Sequence, residues 1–278
     1  MNQELAATLE PMIGKMIQAG ALRLFSTERG AGRSIVFLHG LGWTHALWRH
    51  QFARYGGRYR VIAADSRGHG QSDKPLDAYT IEDMAADWLD ALDALRVDDW
   101  CLVGFSQGGR IAQSLAVLAP QRTRALVVIG AACKSNPASR TIMEQRLEAA
   151  RESTRAAAEA AAASIFSPAF IAREADFVKA FVEQRASLDF GPLAAATRAL
   201  FDWDVSARIA SLRCPAKVAV GSEDRLCPVD AAKEVASLIP GAGFEVIEGS
   251  GHMVMLEQPQ AVDRLLDEFL ARHYPPIA

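Results

Sequence analysis

The chain has 278 residues, half of them hydrophobic, and its 30 basic and 33 acidic side chains give a formal net charge of −3 at pH 7. Because that balance is slightly acidic, it argues against nucleic acid or an anionic membrane surface as a partner, while small neutral or weakly acidic substrates remain open. A chain of this length often forms a single core around an open α/β sheet.

The cysteines show neither a disulfide framework nor a metal site. Cys101, Cys133, Cys214 and Cys227 form no CxxC pair and have no zinc-like spacing with histidine. No segment approaches the roughly 18 uninterrupted apolar residues that span a bilayer. The N-terminus also lacks the basic region of a secretory signal. We therefore predict a cytoplasmic protein with free thiols and no membrane partner.

Residues 1–20 are predicted to form a helical extension. Apolar residues recur there at roughly helical spacing, although Pro11 and Gly14 weaken the pattern. These apolar residues are Leu5, Leu9, Met12, Ile13, Met16 and Ile17. Such a helix would pack on the rest of the chain or on a second copy, so both a monomer and a homodimer remain open.

From residue 21 onward, short β-branched runs alternate with helical patterns. The middle runs are almost continuously apolar, which is typical of strands covered on both faces. The alternation predicts an α/β fold with a mostly parallel central sheet, right-handed crossovers and helices on both faces. The predicted strands are Leu22–Ser26, Ser34–His39, Arg60–Ala64, Trp100–Gly104, Ala125–Gly130, Lys217–Gly221 and Phe244–Ile247.

Helical regions are predicted between these strands. Thr80–Leu95 has an apolar stripe, and Thr80 with Asp83 makes a weak capping box at its start. Residues 135–200 contain no strand candidate, only helical stretches broken at Ser167-Pro168 and Gly191-Pro192. So long a helical stretch between two strands predicts an inserted subdomain at 135–200, with the core formed by residues 21–134 and 201–278.

Ser106 is the predicted nucleophile. It lies in Gly104-Phe105-Ser106-Gln107-Gly108, which follows a predicted strand and precedes an apolar helix. In that context a G-x-S-x-G sequence forms a tight strand-to-helix turn, and the glycines relieve its crowding. The turn holds the serine hydroxyl beside the N-terminus of the helix, where free N–H groups favour developing negative charge.

His252 is the predicted base, because a serine hydroxyl needs one within hydrogen-bond reach. It follows the strand Phe244–Ile247, so its loop emerges at the same edge of the parallel sheet as the Ser106 turn. His69 is a weaker candidate for lining the site, and His39 is predicted to be a structural hydrogen-bonding residue. The other histidines are expected at the surface; they are His45, His50 and His273.

The acid that orients the histidine is predicted to be Asp224, which follows the strand Lys217–Gly221 at the same edge. Its neighbour Glu223 is the fallback. The strand Ala125–Gly130 is followed by Ala131-Ala132-Cys133, which offers no carboxylate. The resulting order along the chain is Ser, Asp, His, which is the order expected for a serine hydrolase built on a parallel sheet of this kind.

Two backbone N–H groups are predicted to form the oxyanion hole. One is that of Gln107, next to the nucleophile, and the other is that of Leu41, in the sharp turn after Ser34–His39. Gly40 and Gly42 are less favoured alternatives to Leu41.

Together these motifs resemble the α/β-hydrolase superfamily, over nearly the whole chain from about residue 21. Within it, the chain most resembles 3-oxoadipate enol-lactone hydrolases and small carboxylesterases. The resemblance rests on these segments, which appear in order: His39-Gly40-Leu41-Gly42, Asp65-Ser66-Arg67-Gly68-His69-Gly70-Gln71-Ser72-Asp73, Gly104-Phe105-Ser106-Gln107-Gly108-Gly109, Gly221-Ser222-Glu223-Asp224 and Gly251-His252. It implies that Ser106 is acylated, that His252 then activates water, and that the insertion at 135–200 is a lid over an apolar acyl pocket.

The leading hypothesis is hydrolysis of a small carboxylic ester or lactone through a Ser106 acyl-enzyme, with no metal or organic cofactor. Carbon–carbon bond hydrolysis is an alternative, although relatives with that activity usually have tryptophan after the histidine, where this chain has Met253. Their substrates carry carboxylates, so this alternative predicts a pocket arginine among Arg140, Arg146, Arg185 and Arg198. A ligand-binding protein that kept the fold is a third hypothesis, which the intact triad disfavours.

Overall fold

A computed structural model of the protein describes residues 3–277. Its strands are β1 (Lys15–Ala19), β2 (Leu22–Arg29), β3 (Ser34–Leu38), β4 (Arg60–Ala64), β5 (Trp100–Phe105), β6 (Thr123–Ile129), β7 (Ala216–Gly221) and β8 (Gly243–Ile247). They form one eight-stranded sheet in the order β1-β2-β4-β3-β5-β6-β7-β8. The pairs β1–β2 and β2–β4 are antiparallel, and the other neighbours are parallel. The predicted α/β fold with a mostly parallel sheet is therefore confirmed.

The strands β2 to β8 lie where the sequence predicts them, with small shifts at their ends. The bounds of β4 agree with the prediction, β2 continues to Arg29, and β6 begins earlier, at Thr123. Every residue of β3 and β5 is buried. Both faces of these central strands are covered, as their continuous apolar runs indicate.

The predicted helical extension over residues 1–20 is wrong for most of its length. Its described part contains only a short helix, α1 (Gln3–Ala7), whereas Lys15–Ala19 forms the edge strand β1. Ile17 is buried and its neighbours in the strand are exposed, an alternation with the period of a strand. Gly20 has a φ of 57° in the turn from β1 to β2, a left-handed conformation that suits glycine. Residues 1 and 2 lie outside the described part of the chain.

Helices pack on the sheet and over one of its edges. After α1 they are α2 (Arg49–Tyr55), α3 (Ile81–Ala94), α4 (Gln107–Leu118), α5 (Pro137–Glu152), α6 (Thr154–Ile165), α7 (Pro168–Arg173), α8 (Ala175–Ala186), α9 (Phe190–Arg198), α10 (Ser206–Ile209), α11 (Val229–Leu238), α12 (Val254–Glu257) and α13 (Pro259–His273). A short 3-10 turn at His45–Trp48 precedes α2.

The predicted start of α3 is confirmed in detail. The Thr80 hydroxyl accepts a hydrogen bond from the Asp83 N–H at 3.1 Å, and the Asp83 carboxylate accepts one from the Thr80 N–H at 2.8 Å. This capping box satisfies two N–H groups that the helix itself leaves unpaired, and an N-cap of this kind stabilises a helix by about 1 kcal/mol.

The region between β6 and β7 is helical, as predicted, and its secondary structure contains no strand within residues 135–200. Ser167 caps α7, and Pro168 is the first residue of that helix, so the predicted break at this position is confirmed. The predicted break at Gly191-Pro192 falls instead inside the first turn of α9, which begins at Phe190. Proline is tolerated there because the first N–H groups of a helix have no intrahelical partner.

The four cysteines are free thiols, as predicted. Cys101, Cys133 and Cys227 are buried and Cys214 is half-buried. Within residues 3–277, no helix has the length and apolar character that crossing a membrane requires.

Candidate active site

Ser106 lies in the turn between β5 and α4, with a φ of 53° and a ψ of −118°. A positive φ is unusual for a residue other than glycine and stores backbone strain. The neighbouring glycines are required by space. A Cβ atom on Gly104 would lie 2.4 Å from the Gly108 carbonyl oxygen, and one on Gly108 would lie 2.2 Å from that of Leu38. The sequence therefore forms the predicted tight turn, because side chains are absent where the backbones meet.

Ser106, His252 and Asp224 form a continuous hydrogen-bonded chain. The Ser106 Oγ atom lies 2.8 Å from His252 Nε2, and His252 Nδ1 lies 2.7 Å from Asp224 Oδ2. Asp224 and His252 are 6% and 4% exposed. The structure thus brings together the three predicted side chains from the loops that follow β5, β7 and β8.

The Asp224 carboxylate is held in place by its own loop. Its Oδ1 atom accepts hydrogen bonds from the N–H groups of Leu226 and Cys227, both at 2.8 Å, which leaves Oδ2 for the imidazole. Glu223, the fallback acid, has an exposed side chain. It is not part of the hydrogen-bonded chain to Ser106.

A buried glutamate, which the sequence analysis missed, holds the loop of His252. The Glu257 carboxylate accepts hydrogen bonds from the N–H of Gly251 at 3.0 Å and from that of Ser167 at 3.3 Å. The His252 N–H donates to the Ile165 carbonyl at 2.8 Å. Residues between β6 and β7 thus fix the backbone of the histidine loop. Glu257 lies five positions after His252, and no local pattern marks it.

We expect Glu257→Ala to lower both the melting temperature and kcat. The substitution leaves two buried N–H groups without acceptors, at about 1–3 kcal/mol each, and it releases the histidine loop. Thermal unfolding and ester turnover measure the two effects. Glu268→Ala, at an exposed position of α13, is the matched control. Equal melting temperatures for the two variants would contradict the anchoring role.

The other histidines divide into structural and surface residues. His39 is buried, accepts a hydrogen bond from the Ser66 N–H and donates one to the Gly40 carbonyl, both at 2.9 Å, so its predicted structural role is confirmed. His50 and His273 have exposed side chains, as predicted.

The predicted surface position of His45 is wrong. Its side chain is 1% exposed, donates to the Asp65 carboxylate at 2.7 Å and accepts from the Met12 N–H at 2.9 Å. Both partners are distant in sequence, so the polar stretch around His45 gives no sign of this burial.

His69 is buried and donates to the Arg67 carbonyl at 2.9 Å. Burial lowers its pKa to about 3, so the ring is neutral at physiological pH. It packs edge-on against His39, with ring centroids 5.0 Å apart, and no hydrogen bond joins it to Ser106 or His252. No hydrogen bond to the triad supports the expectation that His69 lines the site, and that expectation stays a prediction.

The loop after β3 passes directly beside Ser106. A Cβ atom on Gly40 would lie 3.1 Å from the Cβ atom of Ser106. Leu41 follows Gly40 and is 9% exposed, and Gln107 is the first residue of α4. The residues predicted for the oxyanion hole are therefore next to the nucleophile, and the role of their N–H groups stays a prediction.

Helix α8 contacts this same loop through Arg185. The guanidinium donates to the carbonyls of Gly42 at 3.0 Å and Leu41 at 3.3 Å. A Cβ atom on Gly42 would lie 2.2 Å from the guanidinium, so the contact requires glycine there. Phe181, one turn earlier in α8, stacks on Trp43 with ring centroids 5.4 Å apart. Helix α8, which belongs to the helical region at 135–200, thus contacts the loop beside Ser106 and holds it in position.

Several cavities lie between this helical region and the core, and two small ones lie closest to the Leu41 loop and to Ser106. One, of about 30 Å³, is lined by Leu41, Met143, Arg146, Leu147, Thr154, Ala157, Ala158, Ala161, Arg185, Leu188, Phe190, Leu193 and Thr197. The other, of about 20 Å³, is lined by Ser106, His252 and Met143 among others. Because a cavity of this size holds only one or two water molecules, neither has room for a substrate in this arrangement of the helices. Within residues 3–277, no three His, Cys, Asp or Glu side chains form a cluster that could hold a metal ion.

Comparison with known proteins agrees with this fold. Residues 33–259 match the model of the alpha/beta hydrolase fold family. The chain belongs to this family. It is therefore related to hydrolytic enzymes, and the superfamily resemblance in its sequence is confirmed.

Two relatives and one solved structure illustrate where it lies in the family. It is 31% identical to the putative carbamate hydrolase RutD of Variovorax paradoxus, over 88% of this chain and 94% of that protein. It is 30% identical to 3-oxoadipate enol-lactonase 1 of Acinetobacter baylyi, over 85% of this chain and 88% of that one. A thermophilic esterase from Thermogutta terrifontis superposes with a TM-score of 0.82 at 25% identity, covering 94% of this chain and 100% of the esterase.

Proposed function

We propose that this protein hydrolyses a small carboxylic ester or lactone through an acyl-enzyme on Ser106. The observation that supports it most is the chain of two short hydrogen bonds, 2.8 Å from Ser106 to His252 and 2.7 Å from His252 to Asp224. A nucleophile, a base within reach of it and an acid that orients the base are what this chemistry needs.

In acylation, Ser106 Oγ attacks the carbonyl carbon while its proton passes to His252 Nε2. Asp224 accepts the Nδ1–H of the ring, which fixes the neutral tautomer with a free lone pair on Nε2 and stabilises the imidazolium once it forms. The bond from the carbonyl carbon to the leaving oxygen then breaks, and that oxygen takes the proton from Nε2.

The negative charge that develops on the carbonyl oxygen needs donors. The N–H groups of Leu41 and Gln107 are the proposed pair, and one such donor contributes about 3 kcal/mol to transition-state stabilisation. The N-terminus of the 12-residue helix α4 lies at the same point, so its dipole favours the same charge.

In deacylation, His252 takes a proton from water, and the hydroxide attacks the acyl carbonyl. The acid is released and Ser106 Oγ regains its proton from Nε2, so the enzyme returns to its starting state. For a lactone the leaving hydroxyl stays tethered to the acyl group, and one hydroxy acid is the product.

The choice of ester or lactone draws on the relatives, whose names include an enol-lactonase, a carbamate hydrolase and an esterase. The cytoplasm stays the proposed location, because the four cysteines are unpaired. No cofactor enters the proposed steps, since the triad and the oxyanion donors suffice for acyl transfer.

Carbon–carbon bond hydrolysis with the same triad is the second candidate. One observation favours it: of the four candidate arginines for binding a substrate carboxylate, Arg146 and Arg185 line the larger of the two cavities. Arg140 lines the other cavity, which contains Ser106 and His252, and Arg198 lines neither of the two.

Trapping the acyl-enzyme tests the proposal. The protein is mixed with p-nitrophenyl esters from acetate to octanoate, and the reaction is quenched with acid during turnover. We expect a burst of nitrophenol and an acyl mass increment on the peptide that contains Ser106. Ester turnover with no adduct on that peptide would overturn the proposal. Failure to turn over any ester or lactone, in a folded protein that cleaves a β-diketone, would favour the second candidate.

A further inference from the structure

Two buried arginines line the larger cavity without an acidic partner. Arg146, on α5, and Arg185, on α8, are each 9% exposed. Among the described residues, no Asp or Glu oxygen forms an ion pair with either guanidinium. Arg140, on the same helix as Arg146, contrasts with them: it pairs with Glu144 at 2.9 Å and with Asp202 at 3.2 Å.

The protein groups that contact the two buried arginines are all neutral. Arg146 donates to the Ser164 hydroxyl, to the Ala161 carbonyl at 3.4 Å and to the Met143 sulfur at 3.5 Å. Arg185 donates to the carbonyls of the loop beside Ser106, as described above. These dipoles solvate the guanidiniums in part and supply no net countercharge.

Both guanidiniums are charged at neutral pH. Burial lowers the pKa of Arg146 to about 9, with a further contribution from the charge of Arg185, and burial lowers the pKa of Arg185 to about 10. Both values stay above 7. Two like charges thus share one cavity, and its lining contains no Asp or Glu among the described residues.

Such an arrangement is costly without a ligand. Buried charges are normally paired, because desolvation of an unpaired ion costs several kcal/mol. An anion between the two guanidiniums would reduce both the desolvation cost and the mutual repulsion. A carboxylate suits the site, because guanidinium binds it through two parallel hydrogen bonds.

The site is adjacent to the nucleophile. Met143 lines both the larger cavity and the one that contains Ser106 and His252. Leu41, whose N–H is a proposed oxyanion donor, lines the larger cavity and accepts a hydrogen bond from Arg185. Once the surrounding helices move apart to admit it, a substrate with its carbonyl at Ser106 can therefore extend past these apolar side chains toward the two arginines.

The geometry points to a carboxylate subsite formed by Arg146 and Arg185, which binds an anionic group on the substrate away from the bond that is cleaved. This inference rests on the proposed function and narrows its substrates to esters or lactones of carboxylate-bearing acids or alcohols. The apolar lining accommodates the linker, and the two arginines bind the anion.

Matched pairs of esters test the inference. The mono-p-nitrophenyl ester of glutaric acid is compared with p-nitrophenyl pentanoate, and 4-acetoxybutanoate with butyl acetate. The wild-type protein is expected to prefer one anionic member over its neutral partner by about tenfold or more in kcat/KM, since a hydrogen bond to a charged group contributes enough for that factor. The pair that shows the preference tells whether the carboxylate lies on the acyl or the alcohol side. Equal rates within both pairs would overturn the inference.

Arg146→Gln is the informative variant, because Arg185 also holds the loop beside Ser106. It should remove most of the preference for the anionic ester while leaving the neutral ester nearly unchanged. Arg146→Lys should retain part of the preference. Arg151→Gln, at an exposed position of the same helix where the arginine pairs with Glu148 at 2.7 Å, should behave as wild type. Parallel losses on both esters in Arg146→Gln would indicate a structural role and contradict the inference.

A binding measurement separates this inference from the proposed function. Glutarate is titrated calorimetrically into the Ser106→Ala protein, with and without Arg146→Gln, and the second substitution should weaken binding by about tenfold or more. Turnover of neutral esters with no glutarate binding would overturn the subsite and leave the proposed function intact. Glutarate binding that depends on Arg146, in a protein that cleaves no ester, would support the subsite and overturn the proposed function.

Discussion

Replacement of Ser106 by alanine is expected to lower kcat for ester hydrolysis by about 10⁶-fold, the scale on which triads lose activity with their nucleophile. The hydroxyl that donates to His252 is lost, so no acyl-enzyme can form. The fold should persist, because the backbone contacts of the turn, including the hydrogen bond from the Ser106 N–H to the Ile129 carbonyl at 2.9 Å, need no hydroxyl. Steady-state kinetics with p-nitrophenyl acetate and a thermal unfolding curve measure the two effects.

Ser237→Ala is the control for this experiment, since Ser237 is exposed on α11 and its hydroxyl donates to the Glu234 carbonyl rather than to a triad residue. It should keep wild-type turnover. Residual activity of Ser106→Ala within tenfold of wild type would mean that water or another side chain is the nucleophile. In that case the acyl-enzyme mechanism would have to be abandoned.

The positions of the three triad residues could be predicted from the sequence because each follows a parallel strand directly. The carboxyl ends of β5, β7 and β8 lie at one edge of the sheet, so the topology alone brings Ser106, Asp224 and His252 together. The sequence favours Asp224 but leaves Glu223 as a fallback, and the structure separates the two because the side chain of Glu223 is exposed. The sequence does not determine the catalytic roles, which stay predictions.

Other features depend on contacts between segments that are distant in sequence. The sequence predicts a helix where β1 lies. The short apolar run there fits the spacing of a helix as well as that of a strand, so it stays ambiguous until its partner strand β2 is known. His45 was expected at the surface, and its burial follows from Asp65 and from the N–H of Met12. Which arginine of the helical region lacks an acidic partner likewise depends on how α5 and α8 pack, and neither charge pattern nor spacing fixes that packing.

Asp224→Asn is expected to lower kcat by about 10⁴-fold while leaving KM and the fold nearly unchanged. The amide keeps the size of the side chain, and its oxygen can still accept from the N–H groups of Leu226 and Cys227. Its NH₂ group would then face His252 Nδ1, and a donor there stabilises the tautomer with the proton on Nε2. That tautomer has no lone pair for the Ser106 hydroxyl, so the nucleophile loses its base.

The neighbouring residue provides the control for this substitution. Glu223→Gln makes the same chemical change one position earlier, on an exposed side chain, and should leave kcat within about twofold of wild type. If the losses were reversed, with Glu223→Gln inactive and Asp224→Asn active, the acid of the triad would be Glu223. The loop after β7 would then have to rearrange in solution, since Asp224 Oδ2 lies 2.7 Å from the histidine in this structure. Measurement of kcat for both variants therefore tests the assignment of the acid and the geometry of its loop together.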